Sequence, residues 1–400
     1  MKAFADALGR GACRLRELRY MSHMQCRVAM AAIVCLLCAG AQSQETFPYP
    51  EEPLVFLLNP VDDGFWVYVP GVDPDTEMVF KKEPEYSGDT VFRNAIRLRG
   101  SSSDVIGLAC DMTAGTLYID RNRNLDLTDD GPSLRANESS APHYARFANV
   151  RIEQLHGNVP VQYVLETAVY SNGSYSVVQS GWIGEVEIDG TPCIMGMADN
   201  LDGAFGNGDI FLFDHNQNWG ARLSCGNEDR LTLPKWLWFE GRLYCIESGF
   251  RLMDGYTALV VSLIPVTENL MDIAFEGQFV SRIMMTNESR EGVLLDWPPA
   301  VLRIPVGTYT LQRIDLLDSF SGYPRYTREI TAQHNVLKAG GQLKQTVTAS
   351  REGVSLNLTY ALQGADYTEY KPDTLSREAR ARFEIYQGER SVRTGQFEYG

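Results

Sequence analysis

The chain lacks the pairings on which most hydrolytic and metal chemistry rests. It has five histidines in 400 residues. The four beyond residue 43 are His143, His156, His215 and His334, and none lies in H-E-x-x-H or another paired ligand spacing. No C-x-x-C exists beyond residue 43, so neither a zinc ribbon nor a thioredoxin-type site is supported there. No G-x-S-x-G, P-loop or G-x-G-x-x-G is present, which removes the nucleophile elbow and the common nucleotide cradles. Long apolar patterns at helical spacing are also missing. The best helix candidate is "LSREARARF", residues 375–383, whose Arg-rich face reads as a solvated loop or a single turn. No histidine or cysteine pairing offers a catalytic residue, and a pair chosen from so many carboxylates would be arbitrary, so no catalytic residue is assigned.

Basic charge is short as well, except at the start. Residues 1–27 carry Lys2, Arg10, Arg14, Arg16, Arg19 and Arg27, and the apolar run Val28–Ala41 follows. A basic segment, a short apolar segment and small residues at Ala39-Gly40-Ala41 or Ala41-Gln42-Ser43 have the form of a signal peptide, residues 1–43. A single membrane anchor is the alternative, but the apolar run is short for a span. Without residues 1–43, which hold six basic and two acidic residues, 30 basic and 49 acidic residues remain, a formal net charge of −19. That excess argues against nucleic acid and against anionic lipid as partners. It suits cation binding, or solubility in a salty exterior. The expected location is secreted, periplasmic or cell-surface, with no membrane span in the mature form. Four of eight cysteines lie in the leader. The remaining Cys110, Cys193, Cys225 and Cys245 allow two disulfides in an exported chain, and Cys225–Cys245 with Cys110–Cys193 is the favoured pairing. Four buried thiols are the alternative.

What the chain has in abundance is strand. "VFLLNP", "GFWVYVP", "AIRLRG", "VRIEQL", "VQYVLETAVY", "SYSVVQ" and "GEVEIDG" are short β-rich runs broken by Gly, Pro, Asp and Asn, as in a meander. Asn172-Gly173 is a two-residue hairpin signal. A boundary falls near residues 262–272. Beyond it, "AVLRIPVGTYTLQRIDLL" is a strand, a turn and a second strand. "QLKQTVTASREGVSLNLTYAL" and "ARFEIYQGERSVRTGQFEYG" are hairpins. The sequence therefore predicts an all-β protein. A β-sheet or meander domain over residues 44–264, possessing calcium-type loops and two similar β-units, precedes an immunoglobulin-like β-sandwich over residues 265–400.

The loops carry the functional signal. In "LYIDRNRNLDLTDDG", Asp120, Asn122, Asn124 and Asp126 fall at positions 1, 3, 5 and 7 of a twelve-residue calcium-type loop. Leu127 fits the apolar eighth position. Leu125 stands where glycine normally turns the chain, and Gly131 stands at position 12, so Asp129 or Asp130 must replace the missing bidentate carboxylate. A second loop, residues 198–209, offers Asn200, Asp202, Gly203 and Asp209 at positions 3, 5, 6 and 12, with Ala198 at position 1 and Asp199 beside it. A third begins at Asp214, Asn216 and Asn218, close enough in sequence to Asp209 to share its site. His215 reads as an exposed loop residue. A polar turn is the competing account of each loop, because Asp and Asn cap backbone amides and tolerate left-handed conformations. Oxygen donors without His or Cys favour calcium over zinc or copper.

The first loop resembles the calcium loops of EF-hands and dockerins over about ten residues, without their flanking helices. "IPVGTYTL" is similar to a turn of transthyretin-like and carboxypeptidase-regulatory-like sandwiches. The succession from DxNxNxDLTDDG through EIDGTPC, ADNxDGxFGxGDIFLFDxNxN, FEGRLYCIESG and IPVGTYTL to FEYG resembles a group of secreted bacterial β-rich proteins of unknown function. That resemblance implies a calcium-decorated β protein and brings no activity with it. Trp236 and Trp238 share one strand face and would stack on sugars if exposed, or pack in the core if not. The expected function is an exported calcium-binding, non-catalytic binding or interaction module, with a glycan or a cell-surface protein as partner. The alternative is a calcium-dependent polysaccharide hydrolase with an unassigned carboxylate pair.

Overall fold

The computed structural model describes residues 52–69, 78–98, 104–141, 143–202, 209–215, 231–317, 320–324, 326–353, 355–372 and 382–397. Its regular elements among the described residues are all strands, so the all-β class holds. No helix there is long and apolar enough to cross a membrane. Residues 1–43 and all but Arg382 and Phe383 of the helix candidate lie outside the described residues. The chain forms two compact units. One comprises Glu51–Glu268 with Thr286–Leu294, and the other Asn269–Met285 with Leu295–Gly400.

The first unit is built from three antiparallel sheets. The largest contains, in spatial order, Leu231–Thr232, Ile210–Asp214, Thr191–Ala198, Gly181–Ile188, Leu54–Val61, Thr257–Pro265, Arg242–Leu252, Trp236–Phe239 and Gly292–Asp296. Leu54–Val61 joins its two halves, pairing Leu54–Leu58 with Leu259–Leu263 and Asn59–Val61 with Gly181–Ile183. The second sheet has the order Val67–Val69, Gly173–Val178, Val159–Tyr170, Tyr144–His156 and Glu138–Ser140. The third has the order Val91–Arg97, Val105–Asp111, Thr116–Ile119 and Leu134–Arg135.

Alternation decides which face is buried, since successive side chains leave a strand on opposite sides. In Tyr144–His156, Ala145, Phe147, Val150 and Ile152 are buried. A register shift between Phe147 and Val150, with Asn149 at φ 56°, inserts the extra residue that keeps all four on one face. Across the core Tyr163 meets Trp182 edge-on at 5.8 Å, and Trp182 meets Phe250 at 4.8 Å. Trp238 is buried and Trp236 half-buried, so this pair belongs to the packing and presents no open stacking face.

The hairpins follow turn chemistry, with one shift from expectation. Tyr170 pairs with Gly173, so the two-residue loop is Ser171-Asn172 and Asn172-Gly173 is displaced by one position. Neither loop residue adopts positive φ. The left-handed pairs lie instead at Asp189-Gly190 (φ 49° and 82°) and Glu240-Gly241 (φ 48° and 85°), where the following strands pair directly.

In the second unit Leu270–Gln278 pairs antiparallel with Val301–Pro305 and parallel with Val336–Gly340. Gly307–Leu316 turns away at Val306 to pair with Phe320–Gly322 and Thr327–Ile330. Both expected hairpins are present, as Lys344–Glu352 with Ser355–Gln363 and as Arg382–Gln387 with Arg390–Gln396.

The Cys110–Cys193 disulfide is not formed. Cys110 sits in the third sheet and Cys193 in the first, each a buried free thiol, and Cys193 donates to the Thr191 carbonyl at 3.5 Å. An even cysteine count cannot bring strands of separate sheets into bonding range. Cys245 is also free, and its expected partner Cys225 lies outside the described residues. Burial raises the Cys110 thiol to about 12, so it is inert to alkylation in the fold. Peptide mapping after maleimide treatment should therefore recover Cys110 unlabelled from native protein and labelled from denatured protein without reductant. A Cys110–Cys193 linked peptide would contradict this.

Candidate metal centre

Thr191–Ala198 and Ile210–Asp214 are neighbouring antiparallel strands, pairing Ala198 with Ile210. The pairing brings the two ends of the second loop together. Asp199 leaves the first strand, Asp209 enters the second, and Asp202 lies between. Their carboxylate oxygens all fall within 4.8 Å of one another. Asp199 is 0% and Asp209 1% exposed. Like charges this close, in a site nearly free of water, oppose one another and are individually costly to bury.

Hydrogen bonds fix the Asp199 and Asp209 carboxylates without neutralising the group, and a further one holds the Asp202 backbone. Asp209 Oδ1 accepts the Asn200 amide at 2.8 Å, Asn200 Oδ1 accepts the Asp202 amide at 2.8 Å, and Asp199 Oδ1 accepts the Leu201 amide at 2.6 Å. Leu201 takes φ 70°, a left-handed turn that folds the backbone around Asp199. From the opposite sheet, Tyr163 donates its hydroxyl to Asp199 Oδ2 at 2.7 Å. His156 Nε2 lies 2.8 Å from that hydroxyl and 3.5 Å from Asp199 Oδ2. The phenol proton is committed to Asp199, so the imidazole is the donor to the phenol oxygen. Burial raises the Asp199 carboxyl to about 6, opposed by the Tyr163 hydrogen bond. A bound cation would hold the same carboxyl ionised.

Ala198, placed at position 1 of the loop template, is the last strand residue and lies outside the cluster; Asp199 replaces it. The signal was present in its adjacency to position 1. Asn200 contributes its amide and side-chain oxygen to the turns, and Gly203 lies outside the described residues. Among the described residues, Asp214 is not in the cluster that holds Asp209. The two bracket the Ile210–Asp214 strand, about 16 Å apart at a rise of about 3.3 Å per residue. Asp214 is itself buried, while Asn216 and Asn218 lie outside the described residues. His215 is half-buried against Phe239, 5.6 Å between rings, and not exposed as expected.

The first loop connects Thr116–Ile119 to Leu134–Arg135 in the third sheet. Asp120 is buried, and its two oxygens accept the amides of Asn124 at 3.1 Å and Leu125 at 3.0 Å. Asn122 Oδ1 and Asn124 Oδ1 accept the amides two residues on. Arg123 and Leu125 take φ 62° and 68°, so the turn is made without the expected glycine. Asp126 is spent on Thr128 and on Lys82 Nζ at 3.5 Å, and Asp129 on the side-chain amides of Asn122 and Asn124. Asp130 is the better stand-in carboxylate. Its Oδ1 accepts the amides of Arg121 and Asn122, and its Oδ2 is buried with no hydrogen-bond partner. Burial raises the Asp120 carboxyl above the usual range, and the nearby Asp130 charge adds to the shift. Much of this loop is therefore a satisfied polar turn, with the Asp120 and Asp130 carboxylates left facing a common charge problem.

Both loops offer oxygen alone, the donor set of a hard cation. Comparison of the chain with protein-family models, with curated proteins and with solved structures returns no match.

The Asp199 carboxyl generates a pH dependence in chelated protein. Its folded value near 6 lies above that of an unfolded aspartate, so between about pH 4 and 6 the native state binds the extra proton. Stability should fall as pH rises through that window, by about 3 kcal/mol at most, and then level off. Denaturant titrations at pH 4 and 7 check this, and a shift in midpoint between the two pH values that is the same in wild type and Asp199→Asn would contradict it. Tyr163→Phe should cost about 1–3 kcal/mol at neutral pH, because Asp199 loses its donor.

Proposed function

We propose that this chain is an exported, calcium-stabilised, non-catalytic binding module, acting in the periplasm, at the cell surface or as a secreted protein. The observation that carries the metal reading is the convergence of Asp199, Asp202 and Asp209 within 4.8 Å. The Asp120–Asp130 loop is the second calcium site of this reading, of the EF-hand or dockerin type in a β setting. Calcium suits both loops because it accepts six to eight oxygen ligands in irregular geometry, whereas magnesium demands a near-octahedral shell and seldom uses an all-protein cage. The basic–apolar leader supports export. The strand-and-hairpin pattern after residue 265 supports an immunoglobulin-like sandwich, and with it a place among the secreted β-rich proteins that the sequence resembles.

The role of the ion is structural. A site formed in the native chain and lost in the unfolded one adds about 2.7 kcal/mol at a hundredfold excess of ligand over its dissociation constant. It also answers the charge problem of a chain with a formal net charge of −15.

Thermal unfolding of the full chain in excess calcium, excess magnesium and chelator tests the reading. Calcium should raise the melting temperature by several degrees and magnesium far less. Asp209→Asn and Asp120→Ala should each remove part of the calcium increment. Superimposable curves in calcium and chelator would reduce both loops to polar turns.

A further inference from the structure

The outer face of the five-stranded sheet carries a row of tyrosines. Tyr68 comes from Val67–Val69, Tyr175 from Gly173–Val178, Tyr170 from Val159–Tyr170 and Tyr144 from Tyr144–His156, one from each of four adjacent strands. Tyr144 and Tyr170 are directly paired across their strands, and Tyr170, Tyr175 and Tyr68 continue diagonally. Ring centroids are 5.2 Å apart from Tyr144 to Tyr170, 6.1 Å from Tyr170 to Tyr175, and 6.3 Å from Tyr175 to Tyr68. Tyr68 is 52% and Tyr170 37% exposed, with Tyr144 and Tyr175 half-buried between them. Ala168 and Val177 on the same face are fully buried, while Tyr68 and Tyr170 remain open to solvent, so the row keeps exposed ring surface above a buried apolar layer.

We propose that this row is a binding platform for a soluble, neutral, β-linked polysaccharide, each tyrosine ring stacking on one pyranose unit. The proposal deepens the binding-module reading and rests on it, by giving that module its ligand class and its surface. Four features select the ligand. The row crosses four adjacent strands, which fits an extended polymer better than a compact molecule. Its pitch is close to the advance of one sugar unit in an extended β-linked chain. A polyproline helix instead returns to the same face about every 9 Å, three residues at about 3.1 Å each, and skips alternate rings. Successive rings are inclined by 46°, 30° and 59°, so the platform is not flat. An uneven platform suits a single hydrated chain and mismatches the flat face of a crystalline polymer.

Charge selects neutrality. The chain is acidic overall. Arg146, which shares this face, is held by Glu166 at 2.7 Å and Glu138 at 3.3 Å, and so is not available to an anionic polymer. Burial, reinforced by neighbouring Tyr170, lifts the Tyr175 phenol to about 12, and burial with Glu138 raises Tyr144. Both side chains are therefore neutral, and neither adds charge to the row. An apolar ring face with a donor at its edge is the complement of a sugar, whose C–H faces are apolar and whose rim is hydroxylated.

The test is affinity electrophoresis of the full chain, in calcium, through native gels containing hydroxyethylcellulose, glucomannan, xylan or polygalacturonate. At least one neutral polymer should retard the chain, and polygalacturonate should not. Tyr68→Ala and Tyr170→Ala should each weaken retardation about ten-fold, the loss expected for one stacked ring. Tyr68→Phe should keep most of it, because the ring does the stacking. Should Tyr170→Ala lower the melting temperature, the more exposed Tyr68 pair of variants decides alone. Retardation by none of the three neutral polymers would overturn the platform, as would equal retardation of wild type and Tyr68→Ala. Stronger retardation by polygalacturonate, or binding of a proline-rich peptide at the row, would also overturn it. If calcium still raises the melting temperature in that case, only the platform falls and the metal reading stands.

Discussion

The burial of acid in a β scaffold is the constraint from which the rest of the first unit follows. Asp199 and Asp209 are inaccessible to water, yet they lie beside each other and beside Asp202. A fold can tolerate this in two ways. It can take up a proton, which is the state toward which burial drives Asp199, or it can take up a cation. The proposed calcium site is the second of these. Backbone amides of Asn200 and Leu201 orient Asp209 and Asp199, and Tyr163 reaches across from the neighbouring sheet to pin Asp199. The site is thus a junction between two sheets as well as a loop. An ion there would tie the hairpin end of one sheet to the packed face of the other.

The two acidic loops solve a similar problem differently. The 120–131 loop relies on short-range side chain to backbone capping, with left-handed residues at Arg123 and Leu125. It is nearly self-sufficient, and its buried oxygen without a hydrogen-bond partner is Asp130 Oδ2. In the 199–209 loop, the described residues bring two buried aspartates together beside Asp202. The tighter cluster of acid therefore lies in the loop with the weaker sequence motif.

That inversion explains what could be read from sequence. Strand class was legible because alternation of apolar and polar residues is local. The Asp120 loop was legible because its D-x-N-x-N spacing is local too. Asp199 was passed over because a twelve-residue template anchored on Asp209 sets position 1 at Ala198, and strand pairing moves the boundary by one residue. The supposed Cys110–Cys193 pair failed for the same kind of reason, since counting cysteines contains no information about which sheet each strand joins. The tyrosine row was invisible at that level. Positions 68, 144, 170 and 175 form a line only after strand order and register are known, and a bulge near Asn149 sits in the strand that carries Tyr144.

The central claim is that buried aspartates hold calcium, and direct stoichiometry tests it most closely. Equilibrium dialysis of metal-stripped full chain against labelled calcium should give saturable binding, with at least one ion lost in a variant carrying Asp199→Asn and Asp209→Asn together. Excess magnesium should displace it poorly. Absence of saturable binding, or unchanged stoichiometry in that variant, would contradict the account and leave proton uptake as the way this fold accommodates its buried acids.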